Sequence, residues 1–189
     1  MGEFMTKVLG ISGSLRRGSC NSALLRAATR LMPPDSTLEI ASIRGVPLYD
    51  GDVEAQGMPV AVTQLKEAVV KADGVLLVTP EYNNSMPGVF KNAIDWLSRP
   101  ASDIKRVFGG KPFAIIGTSP GPFGTVLSQN AWLSVLRTLG TQTWFGGRVA
   151  VARAANVFDE SGSIKDPAVE EQLKQFLAGY VAFVRRPAA

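Results

Sequence analysis

Two short polar segments hold most of the residues in this chain that could do chemistry. The first reads Ser12-Gly13-Ser14-Leu15-Arg16-Arg17-Gly18-Ser19-Cys20-Asn21-Ser22. It sets Ser12, Ser14, Ser19, Asn21 and Ser22 around Gly13 and Gly18. Small residues let backbone N–H groups close around an anion. The hydroxyls and the Asn21 amide are donors suited to phosphate oxygens, and Arg16 or Arg17 supplies charge. A helix beginning near Asn21 adds its positive N-terminal end. Such residues also cap helices, but a cap uses one of them rather than five around two glycines. The second segment reads Pro80-Glu81-Tyr82-Asn83-Asn84-Ser85. Its backbone amides and the Asn83 carboxamide suit the polar edge of a flat heteroaromatic ring, and Tyr82 suits its side or its phosphate end. Glu81 is expected to tie the loop to backbone amides rather than act as a catalytic acid. Together the two segments describe a site for a flat ring carrying a phosphate.

The first loop lacks the Lys-Ser/Thr ending of a nucleoside-triphosphate loop and the G-x-G-x-x-G dinucleotide fingerprint. What remains suits a terminal monophosphate, as on FMN. A third loop, Thr118-Ser119-Pro120-Gly121-Pro122-Phe123-Gly124, is rich in Gly and Pro. It leaves an open wall where a nicotinamide or an acceptor could stack, although by itself it also reads as a plain strand-to-helix connection.

Composition narrows the chemistry further. There is no histidine and only one cysteine, Cys20. That excludes Ser-His-Asp and Cys-His mechanisms and an internal disulfide, and leaves almost no ligands for zinc. The cysteine usage agrees with a reducing cytoplasm. The net charge of +4 is scattered, without the concentrated basic stripe of a nucleic-acid protein. No apolar run approaches the length of a membrane span, and no signal peptide is visible. Met1-Gly2-Glu3-Phe4, ahead of Met5, reads as a cloning scar.

The elements that must position these loops follow from hydrophobic period. Apolar runs over residues 7–11, 37–43, 74–79, 112–118 and 143–151 read as five strands, the last interrupted by Gly146-Gly147. The run at 74–79 is continuous and suits a strand buried on both faces. Helical spacing appears in Leu24, Leu25, Ala28 and Leu31; in Val62, Leu65 and Val69; and in Val89, Phe90, Ala93, Ile94 and Leu97. Further helices are expected over residues 125–139, ending at Gly140, and from Asp166-Pro167 onward. Ser85 is the expected N-cap of the helix after the second loop, with Pro87 in its first turn. Residues 44–58 read as a long loop. Trp96, Trp132 and Trp144 are expected to serve packing. Strands alternating with helices imply an α/β three-layer sandwich, and five parallel strands fit the flavodoxin-like order 2-1-3-4-5. Its ligand crevice lies beside the first and third strands, which the two polar loops follow. No repeat or linker appears, so residues 5–189 read as one domain.

With these residues in view, the segment at 13–22 and the run from Pro80 through Leu97 resemble the NADPH-dependent FMN reductase family, which includes bacterial chromate and quinone reductases and related azoreductases. The resemblance covers nearly the whole chain. It implies a flavodoxin-like fold, bound FMN, NADPH or NADH as electron donor, and ping-pong transfer to a quinone, chromate, ferric, azo or free-flavin acceptor. Carried across by position, Ser14, Arg16, Ser19, Asn21 and Ser22 hold the FMN phosphate. Pro80, Glu81, Tyr82 and Asn83 line the ribityl chain and ring, and Ser119 lines the ring's far side. Hydride chemistry belongs to the cofactor, so no protein residue is expected to be catalytic. The resemblance also implies a homodimer or homotetramer; Leu127 and Leu133 stand where chromate-reducing members often carry arginines. The alternative is a flavodoxin-like electron carrier without its own reductase activity. Such carriers tend to be acidic, and the positive net charge runs against that. A receiver-type regulatory domain needs clustered acids after the first strand for Mg²⁺, where this chain has Gly and Ser.

Overall fold

The computed structural model describes residues 5–186; the four residues read as a cloning scar lie outside them. The elements run β1 (Thr6–Ser12), α1 (Cys20–Arg30), β2 (Ser36–Ala41), α2 (Gly51–Gln56), α3 (Val60–Lys71), β3 (Gly74–Val78), α4 (Gly88–Leu97), α5 (Ile104–Phe108), β4 (Pro112–Thr118), α6 (Val126–Thr138), β5 (Gln142–Thr143), β6 (Ala150–Val151), α7 (Ala154–Val157) and α8 (Pro167–Val184). The strands pair in parallel in the order β2-β1-β3-β4-β5, with β6 also on β4. This is the flavodoxin-like order that the hydrophobic pattern implies.

Every residue of β3 is buried, as its unbroken apolar run requires of a strand covered on both sides. Its side chains alternate between two cores. Leu76 and Val78 join α1, α7 and α8, whereas Val75 and Leu77 join α3, α4, α5 and α6. Because β1 and β4 flank β3, the loops after all three strands meet at one end of the sheet.

Four expectations change. The second strand ends at Ala41, not at residue 43. The stretch 44–58 is not loop throughout, since it contains α2, whose N-cap Asp50 accepts from Asp52 N–H. It is strapped to α4: Asn92 bonds Tyr49 N–H and Pro47 C=O, and Trp96 Nε1–H donates to Pro47 C=O. The fifth strand is not one run but two short pieces. Between them Trp144 keeps its N–H on Phe113 C=O of β4 at 2.8 Å, while its ring packs on Phe176, at 4.7 Å between ring centroids, and on Tyr180 at 5.8 Å. Gly146 permits this, because a β-carbon there would lie 2.6 Å from the indole nitrogen. Finally, Ser85 does not cap α4. Pro87 occupies the N-cap without a side-chain hydrogen bond, and the helix begins at Gly88.

Gly13 places the first loop against this scaffold. Its N–H donates to Val78 C=O at 2.9 Å, and a β-carbon there would lie 2.2 Å from the Phe90 ring. Gly13→Ala must therefore displace a fully buried aromatic, at a cost of roughly 1–3 kcal/mol. Chemical denaturation of the FMN-free variant should show that loss in its midpoint at an unchanged m-value, while Gly18→Ala, with open space at its β-carbon, should stay within about 0.5 kcal/mol of the parent.

Candidate functional site

The wall after β1 is built from its own hydroxyls. Ser19 caps α1, its Oγ accepting from Ser22 N–H at 3.3 Å. Ser22 Oγ lies 3.1 Å from Ser12 Oγ, and Ser14 Oγ accepts from Arg16 N–H at 3.4 Å. Arg16, Arg17 and Gly18 are exposed, and a β-carbon on Gly18 would meet only the Arg16 guanidinium, at 3.9 Å. Arg44 holds the loop from outside, its guanidinium donating to Leu15 C=O at 2.7 Å.

Asn21 sits beneath this wall rather than on it. It is buried, its Nδ2 donates to Thr118 C=O at 2.8 Å, and its Oδ1 accepts from Thr118 N–H at 3.0 Å. Both polar atoms are thus committed to the end of β4. The side chain acts by fixing where the loop lies, whereas Ser14, Arg16, Ser19 and Ser22 share the loop itself.

The wall after β3 is a two-residue hairpin. Tyr82 and Ser85 exchange both backbone hydrogen bonds at 3.0 Å, and Asn83 and Asn84 take φ of 50° and 62°. Two successive left-handed residues make a type I′ turn, which asparagine tolerates better than other side chains. The turn lifts Tyr82, 49% exposed, and Asn83 to the surface beside the crevice. Glu81 anchors the hairpin, its Oε2 accepting from Ser128 N–H at 3.0 Å in the first turn of α6. A carboxylate suits that position, where helix N–H groups lack partners and the dipole is positive. Below it, Thr79 Oγ1 lies 2.8 Å from Ser128 Oγ and accepts from Trp132 Nε1–H at 3.1 Å. Pro80 is buried between this network and Glu81 in sequence.

The wall after β4 is tied down from the far edge of the sheet. Ser119 N–H donates to Val151 C=O at 3.0 Å, Ala154 N–H to Ser119 C=O at 3.1 Å, and Ser119 Oγ to Gly124 C=O. Its hydroxyl therefore shapes the loop. The adjoining Thr118 Oγ1 is buried and has no hydrogen-bond partner among the described residues. An orphaned hydroxyl at the end of β4, beside the wall after β3, is a group that a ligand's polar atoms would satisfy.

These walls fit a flavin mononucleotide. Hydroxyls, free backbone and a guanidinium at one end suit a dianionic phosphate, and a tyrosine, an asparagine and an unsatisfied hydroxyl further along suit a ring with one polar edge. The architecture is that of a flavodoxin-like flavoprotein.

Comparison with known proteins gives the same answer. Residues 6–156 match the model of the NADPH-dependent FMN reductase family. The chain is 47% identical over 180 residues to an NAD(P)H-dependent FMN reductase of Pseudomonas aeruginosa, covering 95% of this chain and 96% of that protein. It is 39% identical to a 2-hydroxy-1,4-benzoquinone reductase of a Burkholderia species, covering 95% and 96%. Among solved structures, FerB, a flavoenzyme NAD(P)H:(acceptor) oxidoreductase from Paracoccus denitrificans, superposes with a TM-score of 0.85 at 34% identity, covering 95% of this chain and 97% of that one. The chain belongs to the NADPH-dependent FMN reductase family. It is an oxidoreductase with FMN as cofactor and NAD(P)H as co-substrate.

Parts of the site's shape went unread in the sequence. The Asn83-Asn84 doublet was a readable signal for a type I′ turn. Thr118 and Ser128 gave none, because their parts come from contacts across 97 and 47 residues of chain.

The Glu81 anchor can be tested directly. Glu81→Ala leaves the buried Ser128 N–H without its acceptor and should cost about 1–3 kcal/mol, whereas Glu81→Gln keeps an acceptor and should lose less than half of that. Equilibrium denaturation of the FMN-free variants measures both; equal losses would place the anchor's value in charge alone.

Proposed function

We propose that this protein is a single-domain NAD(P)H:quinone and flavin oxidoreductase that serves donor and acceptor at one face of its bound flavin. The observation that carries this reading is the convergence of the loops after β1, β3 and β4 on one crevice, tied together by Asn21–Thr118 and Glu81–Ser128. Bound FMN supplies the redox chemistry, taking hydride from NAD(P)H and passing electrons to an acceptor in ping-pong order.

The chain's own residues bind and orient. Ser14, Arg16, Ser19 and Ser22 hold the phosphate, with Asn21 setting the loop's position. Tyr82 and Asn83 face the ribityl chain and ring, with Pro80 and Glu81 supporting them, and Ser119 keeps the far wall in shape. The uncharged Gly121–Gly124 stretch, which carries the exposed Phe123, forms the wall beside which flat nicotinamides and quinones take turns. Names carried by relatives favour a quinone as acceptor; ferric, azo, chromate and free-flavin acceptors share the same open face. A carrier role is disfavoured by the same relatives, which are named as reductases.

We further read the protein as a cytoplasmic homodimer or homotetramer. Exposed Leu127 and Phe145, 47% and 70% accessible, flank one groove with Leu133, which supports a self-association face there. Among the described residues no helix is long and apolar enough to cross a membrane.

The test is anaerobic mixing of the FMN-loaded protein with NADPH or NADH. Bleaching of the flavin absorbance without a partner protein, followed by reoxidation on adding a benzoquinone, is the expected result. A flavin that stays yellow would reject the reductase reading. Ser14→Ala and Arg16→Ala should each weaken FMN retention about tenfold or more, since hydrogen bonds to a charged group are worth about 1.5–3 kcal/mol; unchanged flavin content after dialysis would remove those residues from the phosphate site.

A further inference from the structure

Arg153 stands in an unusual place. It has φ 49° and ψ 53°, the left-handed region that residues with a β-carbon enter only at a cost. Such outliers persist where the surroundings over-determine them, and they cluster at binding sites. Here the surroundings are the third wall of the crevice. Arg153 N–H donates to Gly121 C=O at 3.0 Å, the next N–H, of Ala154, donates to Ser119 C=O at 3.1 Å, and Arg153 C=O accepts from Asn156 N–H at 2.8 Å. The backbone is thus pinned to the loop that carries Ser119, at the end of β6.

Its guanidinium is not used by the fold. Arg153 is exposed and makes no side-chain hydrogen bond or ion pair among the described residues. Other cations near this end of the sheet are placed differently. Arg44 is bound to Leu15 C=O, and Arg16 and Arg17 belong to the loop after β1, across β3 and β4 from Arg153. One cationic group thus lies on the loop after β1, and a second, unspent cation is carried by a backbone pinned to the loop after β4. A flavin mononucleotide carries its phosphate at one end only, so a second cation is unexplained by FMN. The co-substrate brings further phosphates: a pyrophosphate in both nicotinamide dinucleotides and a 2′-phosphate in NADPH.

We propose that Arg153 binds a phosphate of the incoming nicotinamide dinucleotide. A guanidinium is well matched to phosphate oxygens, which it engages with two parallel N–H donors. Fixing its backbone in a strained turn aims a long side chain from a rigid base, so less freedom is lost when the dinucleotide arrives. The proposal rests on the reading of this crevice as an NAD(P)H-fed flavin site.

The test uses FMN-loaded Arg153→Gly and Arg153→Lys. Glycine removes the charge while accepting the left-handed backbone, so the variant should fold at least as firmly as the parent. Arg153→Gly is expected to raise KM for NADPH about tenfold, with kcat within about twofold and flavin content unchanged, and Arg153→Lys to recover part of the loss. Inhibition by adenosine 2′,5′-bisphosphate and by ADP gives a readout independent of turnover. If KM rises for NADPH alone and only the bisphosphate weakens, the 2′-phosphate is the group bound. If KM rises for both nicotinamides and ADP weakens too, it is the pyrophosphate. Unchanged constants for all four compounds, or a loss of flavin in step with KM, would overturn the proposal. A parent enzyme that oxidises neither nicotinamide would defeat the underlying reading instead, and direct binding of the bisphosphate to the parent but not to Arg153→Gly would then still support the arginine's role.

Discussion

The site depends first on one buried carboxamide. Asn21 lies at the start of α1, and Thr118 lies at the end of β4, with β3 between their strands. Two hydrogen bonds, at 2.8 and 3.0 Å, join the side chain of one to the backbone of the other. They satisfy a buried N–H and C=O at the point where the parallel ladder ends and the strands would otherwise diverge. The loop after β1 is thereby held at a fixed distance from the loop after β4, and the gap above β3 is set as a crevice. A donor and an acceptor on two separate atoms are required in that geometry, which a carboxamide supplies; a carboxylate offers no donor, and a hydroxyl has both functions on one atom.

The other ties repeat this logic on a smaller scale. Glu81 and the Thr79–Ser128–Trp132 cluster bind the end of β3 to the start of α6, and backbone bonds from residues 151–154 brace the loop after β4. Polar groups near the site thus fall into two sets. Asn21, Glu81, Thr79 and Ser128 spend their hydrogen bonds on the protein and give rigidity. Ser14, Arg16, Tyr82, Asn83 and Arg153 keep exposed or partly exposed surface. Binding sites work best when the second set is positioned by the first before the ligand arrives. In a flavin enzyme, where the cofactor carries the redox step, that positioning is most of what the protein contributes.

The architecture was largely legible in the sequence because its signals are local. The continuous apolar run of β3, the Ser/Gly loop after β1, Gly140 beyond α6 and Asp166-Pro167 before α8 each announce an element by composition or period. The misreadings share a cause in tertiary contact. The fifth strand breaks after Thr143, where the half-buried Trp144 ring packs against Phe176 and Tyr180 on α8. Ser85 pairs with Tyr82 because Asn83 and Asn84 close a turn, leaving α4 to begin at Gly88 without a side-chain cap. Asn21 has a residue type suited to phosphate, and no local signal shows that its side chain also bonds Thr118, 97 residues away. Arg153 had no sequence signal, because only the fold places it at the crevice in a left-handed turn.

If the Asn21–Thr118 pair preforms the crevice, amide hydrogen exchange in the FMN-free protein will show it at Thr118. The Thr118 amide should exchange as slowly as amides in the core of β4, with little change on adding FMN. A Thr118 amide that exchanges as fast as the exposed loops until FMN is added would mean that the cofactor assembles the crevice instead.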